Sequence, residues 1–235
     1  MALPVLQPDD YRFPDPRNAA RDPNGLLAIG GDLAPKRLLQ AYSQGIFPWF
    51  NSDDDPILWW SPDPRAVIEP RAFRPSRSLR KRLRSGQFSC RMDTQFAAVI
   101  DGCASAARRD GAGTWITPNM QNAYRTLHEA GYAHSIEVLR DERLVGGLYG
   151  LSLGTMFFGE SMFSATNDAS KVAFAYLCRQ LIGWNFDLID CQMMNPHLAS
   201  LGVAELSRDQ FLTRLDSNAA AATRQGRWVL EAQPW

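Results

Sequence analysis

The chain has 235 residues and a mass of 26.3 kDa, enough for one large domain or a small domain plus a medium one. Hydrophobic residues make up 45% and charged residues 21%, with 25 acids against 25 Lys and Arg, so no global attraction to nucleic acid follows and any polyanion site must be a local patch. No stretch approaches the roughly 20 apolar residues of a membrane span, and Met1-Ala-Leu-Pro-Val-Leu-Gln7 lacks the basic and apolar regions of a signal peptide.

The first 65 residues are rich in Pro, Gly, Asp and Trp. Arg12-Phe-Pro-Asp-Pro16 and Asp22-Pro-Asn-Gly25 read as turns. Gly25-Leu-Leu-Ala-Ile-Gly-Gly31 is a short apolar strand ending in a turn. Asp32 is placed to cap a helix starting near Pro35, whose apolar side is Leu38, Leu39 and Tyr42 and which Gly45 ends. The Gly30-Gly31 pair lacks the Lys-Ser/Thr of a P-loop and the Gly-x-Gly-x-x-Gly pattern, so it is a turn. Trp49, Trp59 and Trp60 follow in loop-like sequence. Clustered tryptophans bury large areas and spacing alone favours a core role; a platform for stacking a nucleobase is the functional alternative.

Arg71 to Arg84 holds seven bases and no acid. Pro75-Ser76 suits a helix N-terminus with Ser76 as cap. Arg77, Arg80, Lys81 and Arg84 then share one face, with Leu79 and Leu83 opposite. Solvated helix faces usually mix charges. A purely cationic stripe in a neutral chain points to a polyanion, most simply a nucleic-acid backbone; an idle solvated face is the alternative.

A strand and then a helix through Phe96, Val99, Ile100 and Cys103 come next, followed by a polar loop over 104–113. Thr114-Trp-Ile-Thr-Pro118 precedes a helix from about Asn119 to Glu129, closed by Gly131. His134–Leu139 and Arg143–Tyr149 form a hairpin about Asp141-Glu142. The sheet continues through Gly154–Ser164, a helix from Ser170 to about Ile182, and a strand at 186–192. Asn195-Pro196 breaks that strand, short helices follow at 197–201 and Arg208–Leu215, and Ser217–Arg227 reads as a mobile tail segment.

Strand alternation puts Asp190 and Gln192 on one face and Cys191 on the other. It puts Phe158, Glu160 and Met162 together, opposite Phe157, Ser161 and Phe163. If these strands are neighbours, two carboxylates and a carboxamide converge beside an apolar wall, at strand ends where α/β folds hold ligands. Composition alone favours the alternative that Glu160 and Asp190 each cap a turn or pair with an arginine. Cys90, Cys103, Cys178 and Cys191 lack Cys-x-x-Cys spacing and read as reduced, mostly buried thiols of a cytoplasmic protein. His128, His134 and His197 form no metal-ligand spacing, so no metal is expected.

Six runs occur in order: Pro23-Asn-Gly-Leu-Leu-Ala-Ile-Gly-Gly-Asp-Leu33, Gly45-Ile-Phe-Pro-Trp-Phe50, Pro56-Ile-Leu-Trp-Trp-Ser-Pro-Asp-Pro-Arg-Ala66, Gly113-Thr-Trp-Ile-Thr117, Gly159-Glu-Ser-Met-Phe-Ser164 and Leu188-Ile-Asp-Cys-Gln192. Together they resemble the leucyl/phenylalanyl-tRNA–protein transferases, from residue 11 to about 215. The resemblance implies a bacterial cytoplasmic enzyme that needs no cofactor. It implies transfer of Leu or Phe, and less well Met, from aminoacyl-tRNA to the α-amino group of proteins beginning with Arg or Lys, marking them for degradation by the N-end rule pathway. The implied fold is α+β: a small N-terminal α+β domain, taken as 1–65, and a GNAT-like acyltransferase domain with a mixed, mostly antiparallel sheet, taken as 66–235. Nothing demands a dimer, and the chain is expected to be a monomer. Ser164–Ser170, where a CoA-dependent enzyme would carry a Gly-rich pyrophosphate loop, has no glycine. With the basic helix, this favours an acyl donor carried on RNA.

The resemblance supports Asp190, Gln192 and Glu160 as the catalytic set. Asp190 is expected to hold the acceptor amine and take its proton, directly or by relay, Gln192 to orient it, and Glu160 to help bind the cationic acceptor. Leu148, Phe157, Met162, Phe174 and Leu177 are expected to form the donor pocket, though plain core packing is the alternative for each. Trp49 and Trp115 are expected at the terminal adenosine, with Asn195 bordering the site. Arg77, Arg80, Lys81 and Arg84 are expected on the acceptor-stem phosphates.

Overall fold

A computed structural model describes residues 3–106, 115–232 and 235. Part of the expected polar loop, with Gly113 and Thr114, lies outside the described residues.

In chain order the elements are β1 (Val5–Leu6), β2 (Leu26–Gly30), α1 (Pro35–Ser43), β3 (Phe47–Pro48), β4 (Leu58–Trp60), β5 (Arg65–Ile68), α2 (Arg77–Leu83), β6 (Ser89–Met92), α3 (Phe96–Ser105), α4 (Pro118–Glu129), β7 (Ala133–Arg140), β8 (Arg143–Leu153), β9 (Met156–Ser164), α5 (Ala169–Gly183), β10 (Leu188–Gln192), α6 (Pro196–Ser200), β11 (Ala204–Leu206) and α7 (Arg208–Asn218). The first four strands make a small sheet in the order β1-β2-β4-β3. The other seven make a larger sheet in the order β11-β5-β10-β9-β8-β7-β6. All pairs of the larger sheet are antiparallel except β9–β10, which is parallel. The mixed, mostly antiparallel α+β architecture is the expected one.

Local chemistry accounts for most boundaries. Thr117 caps α4 by accepting the Met120 N–H, Ser76 caps α2 by accepting the Leu79 N–H, and Ser207 with Gln210 forms a capping box on α7. Asp141 and Glu142 both take left-handed φ, which matches a tight hairpin to the twist of β7 and β8. Asp32 does not cap α1; the cap position is Ala34, and Asp32 instead accepts the Ala34 N–H at 2.8 Å and pairs with buried Arg37 at 3.1 Å.

The larger sheet is covered on both faces. On one face lies α5, apolar nearly all round, together with Leu79 and Leu83 of α2. On the other lie α1, α3, α4, α7 and the small sheet, so that Leu27 and Trp59 share a core with Phe158 and Leu188. Gly146 lets α5 approach β8: a Cβ there would sit 2.4 Å from that of Ala169.

Two further expectations fail. Leu58–Trp60 is not loop but an inner strand of the small sheet, with Trp59 wholly buried and donating to the Gly30 carbonyl. Residues 217–227 are not a mobile tail. Asn218 accepts the Thr155 N–H, Thr223 accepts the Gly154 N–H, and the Gly226 N–H reaches the Gly131 carbonyl. Trp228 is then buried flat on the His134 ring, 3.6 Å away, with its backbone N–H on Asp93 and its indole N–H on the Arg224 carbonyl. The polar side chains of this segment bind turns distant in sequence, a role without periodicity.

Candidate active site

The site forms where two parallel neighbours part. Leu188, Ile189 and Asp190 of β10 pair with Met156, Phe157 and Phe158 of β9, and the ladder then stops. Each strand is irregular just beyond. On β9, Tyr149 pairs with Ser161 and Gly150 with Gly159, leaving Glu160 as a bulge. Gly150 admits this approach: a Cβ there would lie 2.3 Å from the Phe158 carbonyl oxygen. On β10 the pairing with β5 jumps from Asp190–Val67 to Gln192–Ala66, and Gln192 has φ of 63°.

These bulges overturn the alternation expected from the sequence, because one extra residue flips every later side chain. Phe157 and Met162 pack on one side of the sheet while Phe158 and Phe163 pack on the other. Asp190 and Gln192 do not share a face in use. Cys191 and Gln192 both line the cavity at the strand ends, and Asp190 does not.

That cavity has a volume of about 430 Å³. Its apolar wall includes Leu148, Phe157, Met162, Phe174, Leu177 and Ile189, and its mouth carries Trp49, Trp115, Met193, Met194 and Asn195. Trp49 is held by Trp60, whose indole N–H donates to the Trp49 carbonyl at 2.8 Å. Asn195 caps α6 by accepting the Leu198 N–H at 2.9 Å. The His197 Nε2 lies 3.2 Å from the Met162 Sδ.

The carboxylate in the cavity is Glu160. It is 8% exposed and takes hydrogen bonds from Tyr42 at 2.7 Å, Tyr124 at 2.8 Å and Gln192 Nε2 at 2.9 Å. Burial raises its pKa to about 7 against the pull of the two phenols. Burial and the neighbouring Glu160 also push both phenols well above their ordinary value.

Asp190 stands behind the wall. It is wholly buried and grips Arg65 in a bidentate pair, Nε to Oδ1 at 2.8 Å and Nη2 to Oδ2 at 2.6 Å. Arg65 also donates to the Gly45 carbonyl and lies between the rings of Phe47 and Phe211. Asp190 Oδ1 accepts the backbone N–H of Gln192 at 2.9 Å. Of the two expected routes for Asp190, direct contact with the acceptor amine is closed, because its oxygens are spent on a buried guanidinium and on the turn that aims Gln192; the expected relay is untouched by this.

Three residues of this constellation carry little local signal: Tyr42 belongs by period to an apolar helix side, Tyr124 lies within a helix with no motif of its own, and Arg65 is one base in the run Pro56–Ala66. A lone base beside a proline-rich turn is the only signal the sequence held for Arg65.

The basic helix is separate from the cavity. Ser76, Leu79 and Leu83 take the expected cap and core positions, and Arg77, Arg80, Lys81 and Arg84 are exposed. Among the described residues no ion pair to these four is found, whereas Arg82 approaches Asp168 at 3.7 Å. Asp168 occupies the N-terminus of α5, where Lys171 also approaches it, and the Ser170 N–H is already taken by Ser164 Oγ. An acid thus sits where a helix would cradle a pyrophosphate. No group of three potential metal ligands is found among the described residues, and no helix among them is long and apolar enough to cross a membrane.

Residues 67–216 match the family model described as leucyl/phenylalanyl-tRNA protein transferase, and residues 31–63 match that of its N-terminal domain. A leucyl/phenylalanyl-tRNA–protein transferase of Nitrosospira multiformis is 55% identical over 97% of both chains. Those of Cellvibrio japonicus and Pseudomonas fluorescens are each 58% identical over 89% of this chain, and over 88% and 92% of their own. Among solved structures, a GCN5-related N-acetyltransferase from Kribbella flavida aligns over 72% of this chain and 60% of its own, with 10% identity and a TM-score of 0.36.

Proposed function

The chain belongs to the leucyl/phenylalanyl-tRNA–protein transferases, aminoacyltransferases with an aminoacyl-tRNA donor and a protein acceptor, and from that premise we propose how its cavity serves the reaction. The donors are Leu-tRNA and Phe-tRNA, with Met a poorer one, and the acceptors are proteins with N-terminal Arg or Lys. The product feeds N-end rule degradation in the cytoplasm. The enzyme acts as a monomer, with residues 1–65 as the N-terminal domain and 66–235 as the catalytic one.

One observation carries this reading: a buried carboxylate and a carboxamide, Glu160 and Gln192, meet at 2.9 Å at the end of an apolar slot. The reaction is aminolysis of an ester that is already activated, so its difficulty is placing amine against carbonyl. The donor side chain fills the slot between Leu148, Phe157, Met162, Phe174 and Leu177. Unbranched and γ-branched chains fit, and each methyl misplaced by β-branching costs about 1–3 kcal/mol. Met162 deforms enough to admit both Leu and Phe.

Trp49 and Trp115 at the mouth stack on the terminal adenosine, with Asn195 at the border. The exposed stripe Arg77, Arg80, Lys81 and Arg84 grips acceptor-stem phosphates and positions the tRNA without reading its sequence. Asp168 at the start of α5 supports an RNA-borne rather than a CoA-borne donor, because an acid there repels a pyrophosphate.

Glu160 receives the cationic acceptor and takes the proton its amine must lose. Gln192 holds amine and developing oxyanion in line. Asp190 acts through Gln192 as a positioning residue. The nitrogen attacks the ester carbonyl, the C–N bond forms as the C–O bond to the ribose breaks, and a proton from the nitrogen passes to the departing ribose oxygen.

The test is transfer of labelled Leu, Phe, Met and Ile from charged tRNA to peptides starting with Arg, Lys or Ala. Transfer of Leu and Phe to the Arg and Lys peptides alone is expected, with Ile rejected. Equal use of the Ala peptide would overturn the acceptor assignment.

A further inference from the structure

The hydrogens around Glu160 do not add up if that side chain is ionised. Tyr42 Oη contacts Oε1, Tyr124 Oη contacts Oε2, and the two phenol oxygens are hydrogen-bonded to each other. A triangle of three such contacts needs three hydrogens, and two phenols carry two. With both spent on a carboxylate, the contact between the phenols would face lone pair against lone pair in a dry site. A hydrogen on Glu160 closes the ring: one phenol donates to the other, that one to the carboxyl, and the carboxyl to the first. The Gln192 amide adds a donor to Oε1 but does not reach the phenol pair.

The surroundings agree. The charged and titratable groups about Glu160 are Tyr42 from α1, Tyr124 from α4, Tyr149 from β8, Asp190 from β10 and Arg65 from β5, with His197 of α6 lining the same cavity. Asp190 and Arg65 are bound to each other, so their fields on Glu160 are opposed. The phenols, held far above their ordinary pKa, keep their hydrogens at neutral pH. Burial, the dominant influence on Glu160, favours the uncharged acid.

We propose that Glu160 rests as the neutral acid in a ring closed by Tyr42 and Tyr124, and that a binding ammonium group expels this proton and later returns one of its own. This rests on the reading of Glu160 as the acceptor-binding group. In the first step the carboxyl O–H breaks, the proton leaves to solvent, and the carboxylate pairs with the ammonium. In the second step an ammonium N–H proton moves to the carboxylate, which restores the ring and frees the nitrogen lone pair for attack on the ester. Tyr42 and Tyr124 are positioning residues: the closed ring is what takes the amine's proton back.

The experiment uses the whole enzyme without tRNA and a short peptide with N-terminal arginine. At pH 6 the peptide's own α-ammonium is fully protonated and contributes no proton. Calorimetric titration in buffers of different ionisation enthalpy is expected to count close to one proton released per peptide bound. Infrared difference spectra are expected to show a protonated carboxyl C=O band that disappears on peptide binding and is absent from Glu160→Gln. In Tyr124→Phe, which removes two of the three ring contacts and leaves Tyr42 on the carboxyl, the band is expected at higher frequency. No proton release together with no such band in the wild type would overturn the proposal. Unchanged peptide affinity in Glu160→Gln would instead sink the acceptor reading beneath it, so the two failures are distinct. A band unmoved by Tyr124→Phe would remove the phenols from the ring.

Discussion

Replacing Arg65 with methionine tests the claim that Asp190 works from behind the wall. In the wild type the guanidinium makes two charge-assisted bonds to Asp190, a third to the Gly45 carbonyl, and lies between two aromatic rings. Methionine fills much of that volume but leaves Asp190 wholly buried with only the Gln192 N–H as partner. Removing one member of a buried pair costs about 3–5 kcal/mol, because the survivor keeps its desolvation penalty. For a chain of this length that lowers Tm by about 6–20 °C. The double variant Arg65→Met/Asp190→Leu removes both charges and is expected to regain most of the loss, since apolar replacement of a buried pair is near neutral. It is not expected to regain activity, because the Gln192 turn has lost its acceptor. Thermal unfolding and Phe transfer, measured on wild type, both single variants and the double variant, give the cycle. A single variant within about 1 kcal/mol of wild type, the range of an exposed pair, would mean that water reaches this site and that the argument is wrong. A fully active double variant would remove Asp190 from the mechanism.

Glu160→Gln is expected to abolish most transfer and to change how stability responds to pH. The folded pKa of Glu160 is raised from 4.5 to about 7, so its contribution to stability is present at low pH and is lost as pH rises through about 7. The variant should match wild type near pH 4 and exceed it by about 3 kcal/mol above pH 8, as 2.5 units at about 1.4 kcal/mol each require; identical urea curves at pH 8.5 would contradict the buried acid. Each of Arg77→Ala and Lys81→Ala should lower kcat/KM for Phe-tRNA and reduce the slope of its logarithm against log salt by about 1. An aminoacyl-adenosine donor should be indifferent to both substitutions, and equal salt sensitivity of the two donors would remove α2 from tRNA binding. Trp228→Ala should cost about 3–5 kcal/mol, because a buried indole stacked on His134 is lost; a Tm shift under about 5 °C would show that residues 220–232 do not pack as described.

Much of the element order was legible because the signals are local. Ser76, Thr117 and Gly131 bound their helices through backbone groups a few residues away, and Asp141-Glu142 sets the β7–β8 turn by its own dihedrals. The apolar residues named for the slot and the tryptophans named for its mouth all line one cavity, brought there by β8, β9, α5 and the segments just after β3 and before α4. Short inner strands such as Leu58–Trp60 were not legible: three residues carry no period, and their pairing partners lie far along the chain.

Periodicity marked the cationic face of α2, and the family resemblance carried by the six ordered runs implied the α+β class and the grouping of Glu160, Asp190 and Gln192. Tertiary structure alone decided which carboxylate meets the cavity. Alternation along a strand holds only while the ladder is regular, and both strands are irregular within two residues of the site. The fates of the two acids were then set by partners distant in sequence, Arg65 for Asp190 and the phenols of Tyr42 and Tyr124 for Glu160. One acid is paired with a buried cation and the other is left desolvated beside open space, and that difference in surroundings puts Glu160 at the cavity and Asp190 behind its wall.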